Sequence, residues 1–586
     1  MNTAAPPATP PSVTPANSPS ATPDRPAPAL TSGSASNSTA PPQRSRIIRL
    51  QLLPVLIFIN LLIVAAGLKF QRSPGYMDAA YYYIGARQLA AGQGLTEPVL
   101  WNYLDDPAGL PHPSHTYWMP LTSLASTPAL LLFKNSGFLV ARLPLSLLAG
   151  ILPWLVAALA AHLDPAASAA QRTRRWLLAW ALATFSGFYL QYLTLTDSFV
   201  LYMLLGTGFL WLGFGLHSRR GAPVPPGKWL WLRFLLLGAV AGLLHLTRAD
   251  GLVWLLAVVP AAGWAVARPF YRRPRFYTLL VLAALGYLLV AGWWLARNLQ
   301  LYGSPLPGGA QTLWLTTYDD TYAYPATGLT FENWWARGLS AALFERARAL
   351  LWNLANLVGV QGLVILLPLM LLGLWRLRER RFVQAAAGLW LLTFIVMSVV
   401  FPFAGSRGGY LHSGAAFQPL FWAAVPLGLD VIIDWGTRHR GWKRNQAWPV
   451  FGAGIAVLGV ALTVGLYAVR VVGPNPSATR WDADERRFLQ VDQELEALKI
   501  PEDAVIMVNN PPGFNAATRR PAVVLPNGGT DTALAAACRY GAGYLLLDIN
   551  APALLRPLFD HPASLPGLTY LQSVSGVQIY RVTACP

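Results

Sequence analysis

The chain has 586 residues, of which 54% are hydrophobic and only 12% charged, against about 25% charged in soluble domains. That balance excludes one compact soluble domain and makes lipid the solvent for much of the chain. The formal net charge of +18 does not indicate nucleic acid, because the arginines form short clusters between apolar runs rather than one basic stripe.

Residues 1–43 are mostly Pro, Ala, Ser and Thr. Such a segment cannot bury enough apolar surface to offset its chain entropy and is expected to be a disordered cytoplasmic tail. From 44 to 472 the chain reads as an all-α polytopic membrane bundle. Apolar stretches long enough to cross a bilayer fall at 47–70, 141–162, 176–192, 198–216, 230–246, 251–267, 277–296, 351–374, 382–403, 416–433 and 449–471, which makes about eleven crossings. The shorter, broken run 119–133 reads as a re-entrant or interfacial element.

The basic clusters support this count. Arg44, Arg46 and Arg49 precede the first stretch. Arg172, Arg174 and Arg175 follow the second, and Arg219, Arg220 and Lys228 the fourth. Arg268, Arg272, Arg273 and Arg275 follow the sixth, Arg376, Arg378, Arg380 and Arg381 the eighth, and Arg438, Arg440, Lys443 and Arg444 the tenth. With alternating spans, every cluster falls on one side. The positive-inside rule makes that side cytoplasmic, so the N-terminus is expected inside and the C-terminus outside a cell membrane.

The opposite face carries two long loops, 71–140 and 298–350, rich in Tyr, Trp, Pro and Asp. Residues 473–586 read as a small extracytoplasmic α/β domain. They hold an amphipathic helix at 483–498, short buried strands at 504–508, 522–525 and 544–547, and a helix at 530–540. The domain shows no phosphate loop or catalytic triad, and a capping or acceptor-handling role is expected of it. Cys538 and Cys585 form no CxxC pair. Outside the cytoplasm the two are free to form a disulfide.

Ionisable residues gather at the outer ends of the spans: Asp78, Asp197, Arg248 with Asp250, Arg297, and Arg407 with His412. Charges at a membrane boundary are costly and often mark function. Here they face an outer cavity suited to a lipid-linked phosphate, with arginine as its partner and a carboxylate as base. Each also has a local reading. Asp78, Asp197 and Asp250 stand at helix starts, and Arg248 and Arg297 at helix ends, where the dipole favours those charges. His112 and His115 flank Pro113 and fit loop packing as well as metal ligation. Tyr81, Tyr82, Tyr83, Trp101, Tyr117 and Trp118 fit either a sugar-stacking wall, with Tyr82 the candidate contact, or an interfacial aromatic belt.

The block MDAAYYYIGARQLAAGQG after the first span, followed by HPSHTYWMPLTSL, LTDSFVLYMLLGTG, LTRADGLVWL and WWLARNLQLYGSPLPG, resembles the GT-C superfamily of membrane glycosyltransferases. The similarity is to the branch that includes protein O-mannosyltransferases and bacterial aminoarabinose transferases, and it covers roughly residues 47–434. The resemblance implies a polyprenyl-phosphate sugar donor held within membrane lipid. It implies transfer with inversion to the hydroxyl of a lipid, glycan or protein acceptor, with no part for nucleic acid. Asp78 matches the family's first-loop catalytic carboxylate, and Arg297 and Arg248 match basic positions near the lipid phosphate. Arg407, His412 and Asp197 join them as candidate substrate contacts. The residues call for no cofactor. A divalent metal is compatible with the family, although Ala79 stands where many members carry a second acidic residue. The alternatives are a transporter or lipid flippase, which predicts midplane polar residues on interrupted helices and repeated halves, and a non-catalytic scaffold of the same fold.

Overall fold

The computed structural model describes residues 41–134, 136–218, 229–266, 269–307 and 309–585. The tail expected to be disordered lies outside the described residues up to Ala40, as do Arg219, Arg220, Lys228 and Arg268 of the basic clusters.

The chain enters the bundle as α1 (Pro41–Phe70) and turns into α2 (Met77–Ala90), then α3 (Leu121–Phe133). There follow α4 (Leu143–His162), α5 (Ala169–Thr184), α6 (Phe199–Phe214) and α7 (Leu230–Thr247). A 3-10 stretch, Ala249–Ala257, runs into α8 (Val258–Ala265), followed by α9 (Pro274–Tyr302), α10 (Leu339–Asn356) and α11 (Leu367–Arg376). The bundle closes with α12 (Arg381–Ile395), α13 (Gln418–Arg440) and α14 (Arg444–Tyr467).

Among the described residues, seven helices are long and apolar enough to cross a membrane: Gln51–Phe70, Leu143–His162, Leu230–Thr247, Pro274–Tyr302, Arg381–Val400, Pro402–Arg440 and Arg444–Val472. The segments expected as the third, fourth, sixth and eighth crossings form shorter or broken helices. The third ends at Thr184, before a turn in which Gly187 takes a positive φ. The eighth breaks after Gln361, where Leu363 and Val364 both adopt positive φ before α11 begins. The run read as re-entrant is the single helix α3.

Helices approach closely where the sequence supplies small residues, as in membrane packing generally. A Cβ added at Gly238 of α7 would stand 1.8 Å from the Ala283 carbonyl oxygen of α9, and one at Gly286 of α9 1.9 Å from that of Leu235. At the end of the bundle where several arginine clusters converge, Arg175 is fully buried and donates to Asp430 at 2.6 Å and to Asp164 at 3.3 Å. Asp430 also accepts from Arg444 at 3.1 Å and from the Trp448 indole at 3.0 Å. This network ties α5, α13 and α14 together.

The opposite end carries the α/β domain, built on α15 (Ala483–Ala497), α16 (Pro511–Thr518) and α17 (Thr530–Tyr540). Early in the chain lie three short strands, β1 (Thr96–Glu97), β2 (Val99–Leu100) and β3 (His112–Pro113). The domain adds β4 (Val505–Val508), β5 (Ala522–Val524), β6 (Ala542–Leu547), β7 (Leu568–Val574) and β8 (Val577–Val582). Its six-stranded sheet has the order β2-β5-β4-β6-β8-β7. β2, β5, β4 and β6 run parallel, and β8 pairs antiparallel with both β6 and β7. The edge strand β2 belongs to the first long loop, so the sheet is completed by a segment some 400 residues earlier in the chain. Tyr103 donates to the Val524 carbonyl at 2.5 Å, and the Asn527 amide to the Tyr322 carbonyl at 2.8 Å. Both long loops are thereby pinned to the domain. Cys538 and Cys585 form a disulfide.

Candidate active site

Asp78 is the second residue of α2, which is buried all round from Ala79 to Arg87. It is not the helix cap, a position taken by Tyr76. It lies inside the first turn, where the helix dipole favours an anion. Asp197 stands just ahead of α6 and accepts from the Ser198 amide and, at 2.9 Å, from the Ser198 hydroxyl. Its second oxygen accepts from the Tyr76 hydroxyl and lies 3.4 Å from His412 Nε2.

His412 reaches the two carboxylates because the chain kinks just before it. Gly408 adopts a φ of +119°, a conformation that only glycine takes without strain, and its carbonyl faces His412 Nδ1 at 2.9 Å. A carbonyl only accepts, so Nδ1 carries a proton and Nε2 is left facing Asp197 at 3.4 Å and Asp78 at 3.8 Å. The ring stacks on Phe199, with centroids 4.1 Å apart.

The two carboxylates differ in environment. The Asp78 side chain keeps 28% of its surface exposed. Burial still pushes its carboxyl up to about 6, with His412 pulling against the rise and the Asp197 charge adding to it. Burial acts in the same direction on Asp197, but His412, Tyr76 and the Ser198 amide together hold it below the usual carboxylate range. One acid is thus locked as an anion by its donors, while the other is poised to exchange a proton near neutrality.

The surroundings are aromatic and basic. Tyr82 is buried beside the carboxylates, and burial, then the Asp197 charge, keeps its hydroxyl protonated. The Tyr117 and Tyr322 hydroxyls are each pushed up to about 12, mainly by burial. Trp101 stacks on Trp118 at 4.2 Å and meets Tyr117 at 4.9 Å, and Tyr81 meets Trp118 at 4.7 Å. These rings pack against one another as a wall. Arg407 lies with its guanidinium 3.1 Å from the Tyr318 ring centroid. Among the described residues it has no carboxylate within salt-bridge distance. Arg248 is already paired, donating to Asp250 at 2.8 Å and to the Ser413 hydroxyl at 3.4 Å.

Arg297, expected beside the donor phosphate, does not join this group. It donates to the carbonyls of Leu95 at 3.0 Å and Ser114 at 3.1 Å, and to the Asn298 side chain at 3.1 Å, over the Trp294 ring. It clamps the first loop to the end of α9. His112 lies 3.3 Å from Glu97 and 3.0 Å from the Val99 carbonyl, and His115 sits between the hydroxyls of Ser114 at 2.6 Å and Ser123 at 3.0 Å. Both histidines are loop-packing residues away from Asp78. The residues that sequence reasoning missed are Tyr76, Tyr318 and Tyr322. No motif marks them; the packing sets Tyr76 on Asp197, Tyr322 within reach of the Asp78 charge, and Tyr318 beside Arg407 and Tyr322.

Asp78, Asp197 and His412 offer three ligand atoms within 4.8 Å of one another. Two oxygens and one imidazole nitrogen, with the other ring nitrogen donating to a carbonyl, form a donor set that fits one divalent ion.

The helical membrane bundle with its C-terminal α/β domain is a GT-C-type fold. The chain matches crystal structures of ArnT from Cupriavidus metallidurans, both bound to undecaprenyl phosphate and in the apo state. Each comparison gives a TM-score of 0.53 at 13% identity, covering 90% and 91% of this chain and 98% of that one. The archaeal oligosaccharyltransferase AglB from Archaeoglobus fulgidus, in complex with an inhibitory peptide and a dolichol-phosphate, gives 0.45 at 14% identity over 92% of this chain and 74% of its own. No family model and no curated protein matches the chain.

Proposed function

We propose that this protein is a membrane glycosyltransferase that moves a sugar from a polyprenyl-phosphate donor to an acceptor hydroxyl, with inversion. The observation that carries the reading is the meeting of Asp78, Asp197 and His412 within 4.8 Å beneath an aromatic wall, where the domain joins the bundle. The ArnT structure bound to undecaprenyl phosphate, with the same fold, supports a lipid-phosphate donor. The positive-inside rule applied to the arginine clusters supports a reading with the domain end outside a cell membrane and the N-terminus in the cytoplasm.

In this reading the lipid tail lies along the bundle, and the donor phosphate meets Arg407, whose guanidinium has no carboxylate partner among the described residues, with Arg248 adding positive charge. The acceptor oxygen attacks the anomeric carbon from the face opposite the phosphate. The bond from that carbon to the phosphate oxygen breaks, and its electron pair stays on the phosphate. Arginine stabilises the charge that grows there. Asp78 takes the acceptor proton. A carboxylate raised to about 6 is a better base than an ordinary aspartate near 3.9. Asp197 and His412 hold Asp78 in place. Asp78, Asp197 and His412 are the residues that would hold a divalent ion, which would supply positive charge at the site.

The test is turnover of a panel of polyprenyl-phosphate sugars by purified protein and by Asp78→Asn. Loss of a general base lowers the rate by about 10²–10⁴-fold. Equal turnover by the two proteins removes Asp78 from the reaction.

A further inference from the structure

The turn that launches α2 is held from the far end of the chain. Asp482, at the mouth of α15, is buried, and its Oδ1 accepts from the Arg72 amide at 3.0 Å, the Ser73 amide at 2.9 Å and the Ser73 hydroxyl at 2.7 Å. Its Oδ2 is fixed by the Thr479 hydroxyl at 2.8 Å. The Trp481 indole donates to the Ser73 carbonyl at 3.2 Å, and its ring meets Tyr76 edge-on at 5.9 Å. At Gly75 an added Cβ would stand 2.1 Å from the Trp481 ring nitrogen, so the two segments are in direct contact. A cavity of only about 20 Å³ is left between Tyr76, Phe488 and Asn510. The Trp481 and Arg480 amides bond back to the carbonyls of Val471 and Val472, at the end of the last span. Last span, soluble domain and α2 therefore converge on one turn, whose final residue, Tyr76, donates to Asp197.

We infer that Trp481 and Asp482 are positioning residues for the reaction. By fixing the turn from Arg72 to Tyr76 they set the Tyr76 hydroxyl on Asp197 and aim Asp78 at His412. Neither touches substrate. The inference rests on the glycosyl-transfer reading of the Asp78 site, and it gives the soluble domain a part in catalysis beyond covering the cavity. The physical ground is that a displacement of about 1 Å at a reacting group costs about 10²-fold in rate. Four hydrogen bonds across roughly 400 residues are what prevents one here.

The experiment uses full-length protein in lipid nanodiscs with a polyprenyl-phosphate sugar donor. Trp481→Phe and Asp482→Ala are expected to lower kcat by about 10–100-fold while leaving the donor KM within about twofold. In a Tyr76→Phe background, Trp481→Phe is expected to cost little more, because both changes act through the same turn. Arg520→Ala is the control. It removes a buried pair inside the domain, 2.5 Å to Asp492, and is expected to lower the thermal midpoint and leave kcat unchanged. The inference is overturned if the Trp481 and Asp482 variants keep kcat while Asp78→Asn loses it, if they raise the donor KM instead, or if Arg520→Ala lowers kcat equally. Full activity of Asp78→Asn overturns the reading of the site instead.

Discussion

The raised Asp78 carboxyl makes the pH dependence of turnover a direct test of the proposed base. With a midpoint at about 6, the carboxylate is about 90% formed at pH 7 and about 10% formed at pH 5, whereas an ordinary aspartate near 3.9 is still about 90% formed at pH 5. Single-turnover sugar transfer, measured with enzyme in excess over donor and acceptor saturating, is therefore expected to fall about tenfold between pH 7 and pH 5. Stability moves the other way. A carboxyl whose folded pKa lies above its unfolded value binds more protons in the native state between about 4 and 6, so its contribution to stability is fully present below about 4 and is lost as pH rises through 6. Loss of rate at pH 5 is then not unfolding driven by this group. Asp78→Asn, which removes the buried charge, is expected to be at least as stable as the parent at pH 7, by on the order of 1 kcal/mol once its partial exposure is allowed for. A rate flat from pH 7 to pH 5, or an Asp78→Asn protein that melts well below the parent, would refute the assignment.

Arg407→Ala is expected to raise the donor KM by about 10–100-fold, the worth of a charged hydrogen bond to phosphate, and Arg407→Lys to recover part of it; an unchanged KM removes Arg407 from the phosphate. Arg297→Ala is expected to lower the thermal midpoint by freeing the first loop, with donor KM within about twofold; a KM rise like that of Arg407→Ala would return Arg297 to the donor. Reducing the Cys538–Cys585 disulfide, which spans 47 residues, is expected to cost the outer domain about 4 kcal/mol, read as a lower denaturant midpoint with reductant. Equal midpoints would mean the crosslink constrains nothing.

The readable and unreadable parts of the site differ in range. Asp78 stood out in the sequence because it sits in a local block after a span that resembles a known family, and that block also forms α2. Arg297 and Arg407 could not be ranked that way. Both are arginines at the ends of apolar runs, each over an aromatic ring, and hydropathy does not say which one also bonds loop carbonyls. His412 was a candidate by its level in the membrane, but its approach to Asp78 depends on a kink at Gly408 that no periodicity announces.

By itself the sequence determined which stretches prefer lipid, and it placed the arginines in the clusters between them. Both follow from side-chain solvation, which each residue carries wherever it lies. It also marked the C-terminal α/β domain through short apolar strands between turns. Only the tertiary structure decided that β2 completes that domain's sheet, that Arg175 finds Asp430, and that Trp481 and Asp482 grip the turn before Asp78. Each of these joins residues hundreds of positions apart. The energy of such a pair depends on the packing that brings its members together, and a one-dimensional pattern carries no distance between them.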